Sequence, residues 1–131
     1  MNLNIRATET LQNGEVVISG SSSDLVELGR WLVRGASGEV IALIQPDGIY
    51  KINLKEIKFI FDHVAVNKKI KLSILDDALI VAVGLVVART LGEVLQDFFD
   101  EPVEHLTHFH LDSFDDFYME KCSTTFTFLY H

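Results

Sequence analysis

The 131-residue sequence predicts an α+β domain, a largely antiparallel sheet with two helices packed on one face. Three observations carry that expectation. Short stretches alternate apolar and polar residues, the period of a half-buried strand. Two other stretches repeat apolar residues every three or four positions, the period of a helix with one buried side. Turn residues stand between the strand-like stretches, so neighbouring strands are expected to form hairpins.

Leu3, Ile5 and Ala7 alternate with Asn4, Arg6 and Thr8, which reads as the first strand. Asn13-Gly14 is a strong hairpin turn, and Glu15 to Ser19 returns as the second strand. Ser21 with Asp24 fits a capping box, or Ser22 or Ser23 caps directly. Leu25, Leu28 and Leu32 then place a helix over about Ser23 to Arg34, with Gly35 and Gly38 at its exit. Trp31 on that helix reads as core or rim packing. Glu39 to Gln45 has a continuous apolar centre and is expected to be a central strand buried on both faces.

Pro46-Asp47-Gly48 is a tight turn. Ile52 and Leu54 alternate with Asn53 and Lys55, but Ile57, Phe59 and Phe61 occupy odd positions. This slip of phase predicts a bulge or break near Glu56. Ile70, Leu72 and Ile74 mark a further strand, and Asp76-Asp77 turns it back into Leu79 to Val83. The second helix is expected from about Val86 to Phe99, with Leu91, Val94, Leu95 and Phe98 on one face. Asp100-Glu101-Pro102 stops it. Leu106 to Asp112 and Thr124 to Tyr130 read as the last strands.

The order strand, strand, helix, strand, strand thus occurs twice. Leu28-Gly29 and Leu91-Gly92 sit at matching places, and Gly20 and Gly84 each close the strand before a helix. This suggests one domain over 1–131 with an internal repeat, 1–65 and 66–131. Gly29 and Gly92 each weaken an exposed helix by about 1 kcal/mol, so close packing against a helix or the sheet is their expected reason.

Composition narrows the function. Apolar residues make up 48%, enough for a core and too many for a disordered chain. A single cysteine, Cys122, excludes a disulfide framework and a four-thiolate zinc site. The net charge of −8 repels phosphate, so nucleic acid is not an expected partner. The start, Met-Asn-Leu-Asn-Ile-Arg, lacks the pattern of a signal peptide. The longest apolar run, Ala78 to Ala88, falls short of the roughly 20 residues a bilayer requires. A cytoplasmic protein with no membrane association and no cofactor is expected.

The acids are concentrated. Glu93, Asp97, Asp100, Glu101, Glu104, Asp112, Asp115, Asp116 and Glu120 fall in one stretch that contains no Lys or Arg. Glu93, Asp97 and Glu101 share one helix face, where like charges repel. Aromatic residues are interleaved, among them Phe98, Phe99, Phe109, Phe114, Phe117 and Tyr118. Phe98 and Phe109 are the expected core members. The rest, set in a charged rim, fit a docking surface for a basic protein.

His108, His110 and Asp112 would line one face of a strand, opposite Phe109 and Leu111. Two imidazoles and a carboxylate form a metal-binding set. The run resembles the opening of the metallo-β-lactamase signature, His-x-His-x-Asp-His, but Ser113 stands where the last histidine belongs. A polar strand face with hydrogen-bonded imidazoles is the preferred reading, and metal ligation by these three residues the alternative. There is no Gly-rich phosphate loop and no Gly-x-Ser-x-Gly elbow.

The strand Ala78 to Gly84, the apolar helix after it, its acidic exit and the His108-Phe-His110-Leu-Asp112 strand together resemble small bacterial immunity proteins. The nearest likeness is to the Imm32 type, found beside polymorphic or contact-dependent toxins. The likeness spans Lys71 to Asp116. It implies a non-enzymatic inhibitor that binds one cognate toxin domain, often a basic nuclease. Glu93, Asp97, Asp100, Glu101, Glu104, Asp112, Asp115, Asp116, Phe117 and Tyr118 are the expected contact residues, because carboxylates can take the place of phosphate. Two other classes stand beside it: a small metal-dependent enzyme using His108, His110 and Asp112, and an adaptor that forms a homodimer through an exposed strand edge.

Overall fold

A computed structural model describes residues 1–11, 13–35, 38–41, 52–100, 108–111, 117–119 and 124–130. In chain order the elements are β1 (Asn4–Ala7), β2 (Glu15–Gly20), α1 (Ser22–Arg34), β3 (Gly38–Ile41), β4 (Ile52–Leu54), β5 (Glu56–Asp62), β6 (Lys71–Leu75), β7 (Ala78–Gly84), α2 (Leu85–Asp100), β8 (His108–Leu111) and β9 (Thr125–Tyr130). The α+β class and most element positions follow the sequence pattern. The turn at Asn13 is left-handed (φ 56°), as is that at Asp76 (φ 54°), and each joins an antiparallel pair.

Local chemistry sets the helix ends. The Asp24 backbone N–H donates to Ser21 Oγ at 3.1 Å, and Ser21 Oγ donates to the Asp24 carboxylate at 2.9 Å. This cap satisfies donors that the first helical turn leaves free. At the other end Gly35 adopts φ 65°, and its N–H donates to the Trp31 carbonyl.

The strands do not form the single sheet expected. They divide into two sheets, ordered β4-β1-β2-β9-β8 and β3-β5-β7-β6. Most pairs are antiparallel, but β2 runs parallel to β9 and β5 parallel to β7. The β1–β2 hairpin, α1 and then β3 and β5 come first. The β6–β7 hairpin, α2 and then β8 and β9 repeat that connectivity. In each set the helix carries the chain to the other sheet, so each sheet joins a hairpin of one set to later strands of the other. A parallel seam requires such a crossover and cannot be closed by a tight turn. Alternation marks hairpins but carries no trace of these seams.

Two local expectations change accordingly. The stretch beginning at Glu39 is not a central strand: among the described residues β3 lies at the edge of its sheet, bonded to β5. Residues 42–51, including the Pro46-Asp47-Gly48 turn, lie outside the described residues. The slip of phase before Glu56 is a change of sheet. Leu54 ends β4 against β1, and two residues later Glu56 starts β5 against β3.

The helices cross at glycines. A Cβ on Gly29 would stand 2.6 Å from the Gly92 carbonyl oxygen and 3.0 Å from Gln96 Cγ. A Cβ on Gly92 would run into the Gly29 carbonyl oxygen in turn. Backbone therefore meets backbone at the crossing, which explains why both helices tolerate a poor helix former there. Arg89 Nε donates to the Val33 carbonyl at 3.1 Å and ties the α2 start to the α1 end, so the helices are antiparallel.

One apolar cluster joins both helices and both sheets. Trp31 lies on its rim, tilted over Phe59 and Phe61 of β5 at 5.1 and 5.7 Å. On α2 the fully buried aromatic is Phe99, whereas Phe98 and Phe109 are half-buried beside it. The buried set Ala88, Leu91, Gly92, Leu95 and Phe99 follows helical spacing closely, and Phe98 falls one step off that stripe.

Candidate functional site

The exposed side of α2 is acidic. Glu93, Asp97 and Asp100 are all exposed and recur at four and three residues, which places them on one helix face. Two physical terms oppose this placement. Like charges at that spacing repel. Asp97 and Asp100 also sit in the last turns, where the helix dipole favours cations, and no basic residue offsets them there. Arg89 stands four residues before Glu93, but its Nε is committed to the Val33 carbonyl. Among the described residues, none of these three acids has an ion-pair partner.

Among the described residues, the lysines that form ion pairs lie elsewhere. Lys55 pairs with Asp77 at 3.5 Å and Lys58 with Glu56 at 3.9 Å, on and beside the sheet that contains β5 and β7. They border a shallow depression of about 270 Å³ that Leu75 and Ile80 complete. A second depression, of about 190 Å³, lies where the α1 start meets the α2 end, between Ser22, Arg30, Phe99 and Asp100.

The structure does not gather all the expected contact residues into one place. Phe117 is 48% exposed and forms an edge-on pair with the half-buried Tyr118. Met119, next in the chain, is buried and bridges to Ile70, whose N–H donates to the Tyr118 carbonyl at 2.6 Å. The segment just before Ile70 bonds to the start of α2, through Lys68 to Gly84 and Val66 to Val86. Asp97 and Asp100 stand 11 to 14 residues further along, roughly 17–21 Å at 1.5 Å per residue. Phe117 and Tyr118 therefore belong to the opposite end of α2 from those two acids. Glu101, Glu104, Asp112, Asp115 and Asp116 lie outside the described residues, as does Cys122.

Phe98, between Asp97 and Phe99 in the chain, packs with its ring tilted against Phe109 of β8 at 5.6 Å. The inner side of β8 is thereby fastened to the acidic end of α2. Its outer side exposes His108 and His110, with ring centres 4.5 Å apart, as strand alternation predicts. His110 Nδ1 lies 2.8 Å from Thr127 Oγ1 on β9, and that hydroxyl donates to Glu15 Oε2 on β2 at 3.1 Å. On the same outer face Arg6 Nη2 donates to Ser19 Oγ at 3.0 Å. Of the hydrogen-bonded imidazoles expected on this strand face, the structure shows that of His110. Among the described residues no group of three or more His, Cys, Asp or Glu could hold a metal ion, and Asp112 is not among them.

Sequence reasoning missed Glu15 and Thr127, which stand 112 positions apart. Alternation puts Glu15, Val17 and Ser19 on one side of β2, but only the parallel seam brings that side next to Thr127. Among the described residues no helix is long and apolar enough to cross a membrane. In comparisons with family models, with curated proteins and with solved structures, nothing matches this chain.

Proposed function

We propose that this chain is a non-catalytic binding module that docks a basic protein on the exposed face of α2, as an immunity protein docks and occludes a cognate toxin domain. The observation that supports it is the placement of Glu93, Asp97 and Asp100. They share one exposed face, Asp97 and Asp100 stand against the helix dipole in its last turn, and none of the three has a cationic partner among the described residues. Charges held against the stability of their own helix are explained by a use outside the fold. A negative field of this kind steers a positive partner and speeds its association by about 10 to 1,000 fold. A nuclease grips phosphate with cations, and clustered carboxylates are the chemistry that fills such a groove.

The test is calorimetric titration of the chain into the toxin-like domain encoded beside it, at low and high salt. Tight binding that weakens with salt is expected, with loss in the Glu93→Lys, Asp97→Lys, Asp100→Lys triple variant. Unchanged affinity of that variant at low salt would remove α2 as the interface. A neighbouring gene without any such domain would remove the toxin assignment.

A further inference from the structure

We propose that His108 and His110 form a surface site for a divalent transition metal of the imidazole-seeking kind, zinc first, and that Glu15 and Thr127 preset His110 for it. The argument begins with one proton. The Thr127 hydroxyl has a single hydrogen, and it donates that hydrogen to Glu15 Oε2. At 2.8 Å from His110 Nδ1 the hydroxyl can then only accept, so Nδ1 carries the hydrogen. In a neutral imidazole this leaves the Nε2 lone pair unprotonated and free of that bond. A ring nitrogen donating to an oxygen while the other faces outward is the arrangement that metal-ligating histidines adopt. It fixes tautomer and ring orientation before metal arrives. Here the oxygen is a hydroxyl polarised by a carboxylate, and Thr127 is 4% exposed, so the relay is sheltered while both imidazoles are exposed.

Geometry supplies the second argument. Zinc–nitrogen bonds of about 2.0–2.1 Å put the centres of two ligating rings roughly 4.5 Å apart at a right angle and about 5.2 Å apart at a tetrahedral angle. The two rings stand 4.5 Å apart with planes inclined by 58°, so they are not stacked. The separation of their centres equals that of two rings sharing a zinc at a right angle, and both side chains are exposed and so can turn toward a shared ion. Two imidazoles occupy two of zinc's four positions, and water fills the others. The site involves none of the α2 acids, so it stands or falls apart from the docking face.

The experiment is calorimetric titration of the metal-free chain with zinc chloride alone, together with nitrogen-resolved NMR of the histidine rings. One zinc per chain is expected, with affinity reduced more than tenfold by either His108→Ala or His110→Ala. Thr127→Val is expected to weaken binding by about 10-fold or more, the usual effect of losing an outer-shell partner, while Thr127→Ser retains it. Should Thr127→Val fail to fold, Glu15→Ala releases the same hydrogen and is expected to weaken binding in the same direction. NMR of the metal-free protein should show His110 with hydrogen on Nδ1. Zinc affinity equal to that of the His108→Ala, His110→Ala double variant, or a hydrogen found on Nε2 instead, would overturn the proposal.

Discussion

Gly29→Ala is the sharpest probe of the helix crossing, because two effects of opposite sign meet there. In an exposed helix the substitution stabilises by about 1 kcal/mol, since alanine loses less backbone freedom than glycine. Here the new methyl would start 2.6 Å from the Gly92 carbonyl oxygen, where ordinary contact begins at 3.4 Å. The helices must open by 0.8 Å, the difference of those distances. A gap of that size forfeits roughly a quarter to a half of the dispersion energy at each facing contact. The obstacle is backbone, so no side chain can swing aside. Overpacking of this kind costs up to about 3 kcal/mol, and subtracting the propensity gain leaves a loss of about 2 kcal/mol. At roughly 3–5 °C per kcal/mol for a chain of this length, the melting midpoint falls by about 6–10 °C. Urea unfolding followed by circular dichroism should show the same loss with an unchanged slope. A midpoint equal to the wild type, or a few degrees higher, would mean that propensity alone operates and that the helices do not meet at these glycines.

Phe99→Ala should destabilise by about 3–5 kcal/mol, as emptying a fully buried aromatic site does. Phe98→Ala should cost clearly less, and urea unfolding that ranks the pair the other way would refute the assignment of the buried face. Neutralising both helix-end acids, Asp97→Asn with Asp100→Asn, should raise the stability of the free chain by about 0.3–1 kcal/mol per site in low salt. A loss on thermal unfolding would show that these carboxylates hold a partner within the fold. Asp62 Oδ1 accepts hydrogen bonds from the Val64 and Ala65 N–H groups at 2.9 and 2.7 Å, which lowers its pKa below the ordinary 3.8. A depressed carboxyl pKa stabilises the fold above the unfolded value and ceases to as pH falls through the folded one. The stability gap between wild type and Asp62→Asn should therefore be full near neutrality and close below pH 3.8. A gap that persists unchanged into stronger acid would contradict that origin.

The sequence by itself determined what depends on neighbours along the chain. Ser21 with Asp24 marked the α1 cap, Asn13 and Asp76 the left-handed turns, and the alternation of His108, Phe109, His110 and Leu111 the two sides of β8. The acidic face of α2 was legible in part for the same reason: helical spacing put Glu93 and Asp97 on one face, together with Glu101, which lies outside the described residues, whereas the structure sets Asp100 beside them at the helix end. The tertiary structure decided which strands meet at a distance. The parallel pairing of β2 with β9 is what sets Glu15 beside Thr127 and Thr127 beside His110, and the crossing of α1 with α2 is what gives Gly29 and Gly92 their purpose. Strand alternation is the same for every partner a strand can take. The choice among partners rests on how one shared core closes, and that is a property of the whole chain rather than of any stretch of it.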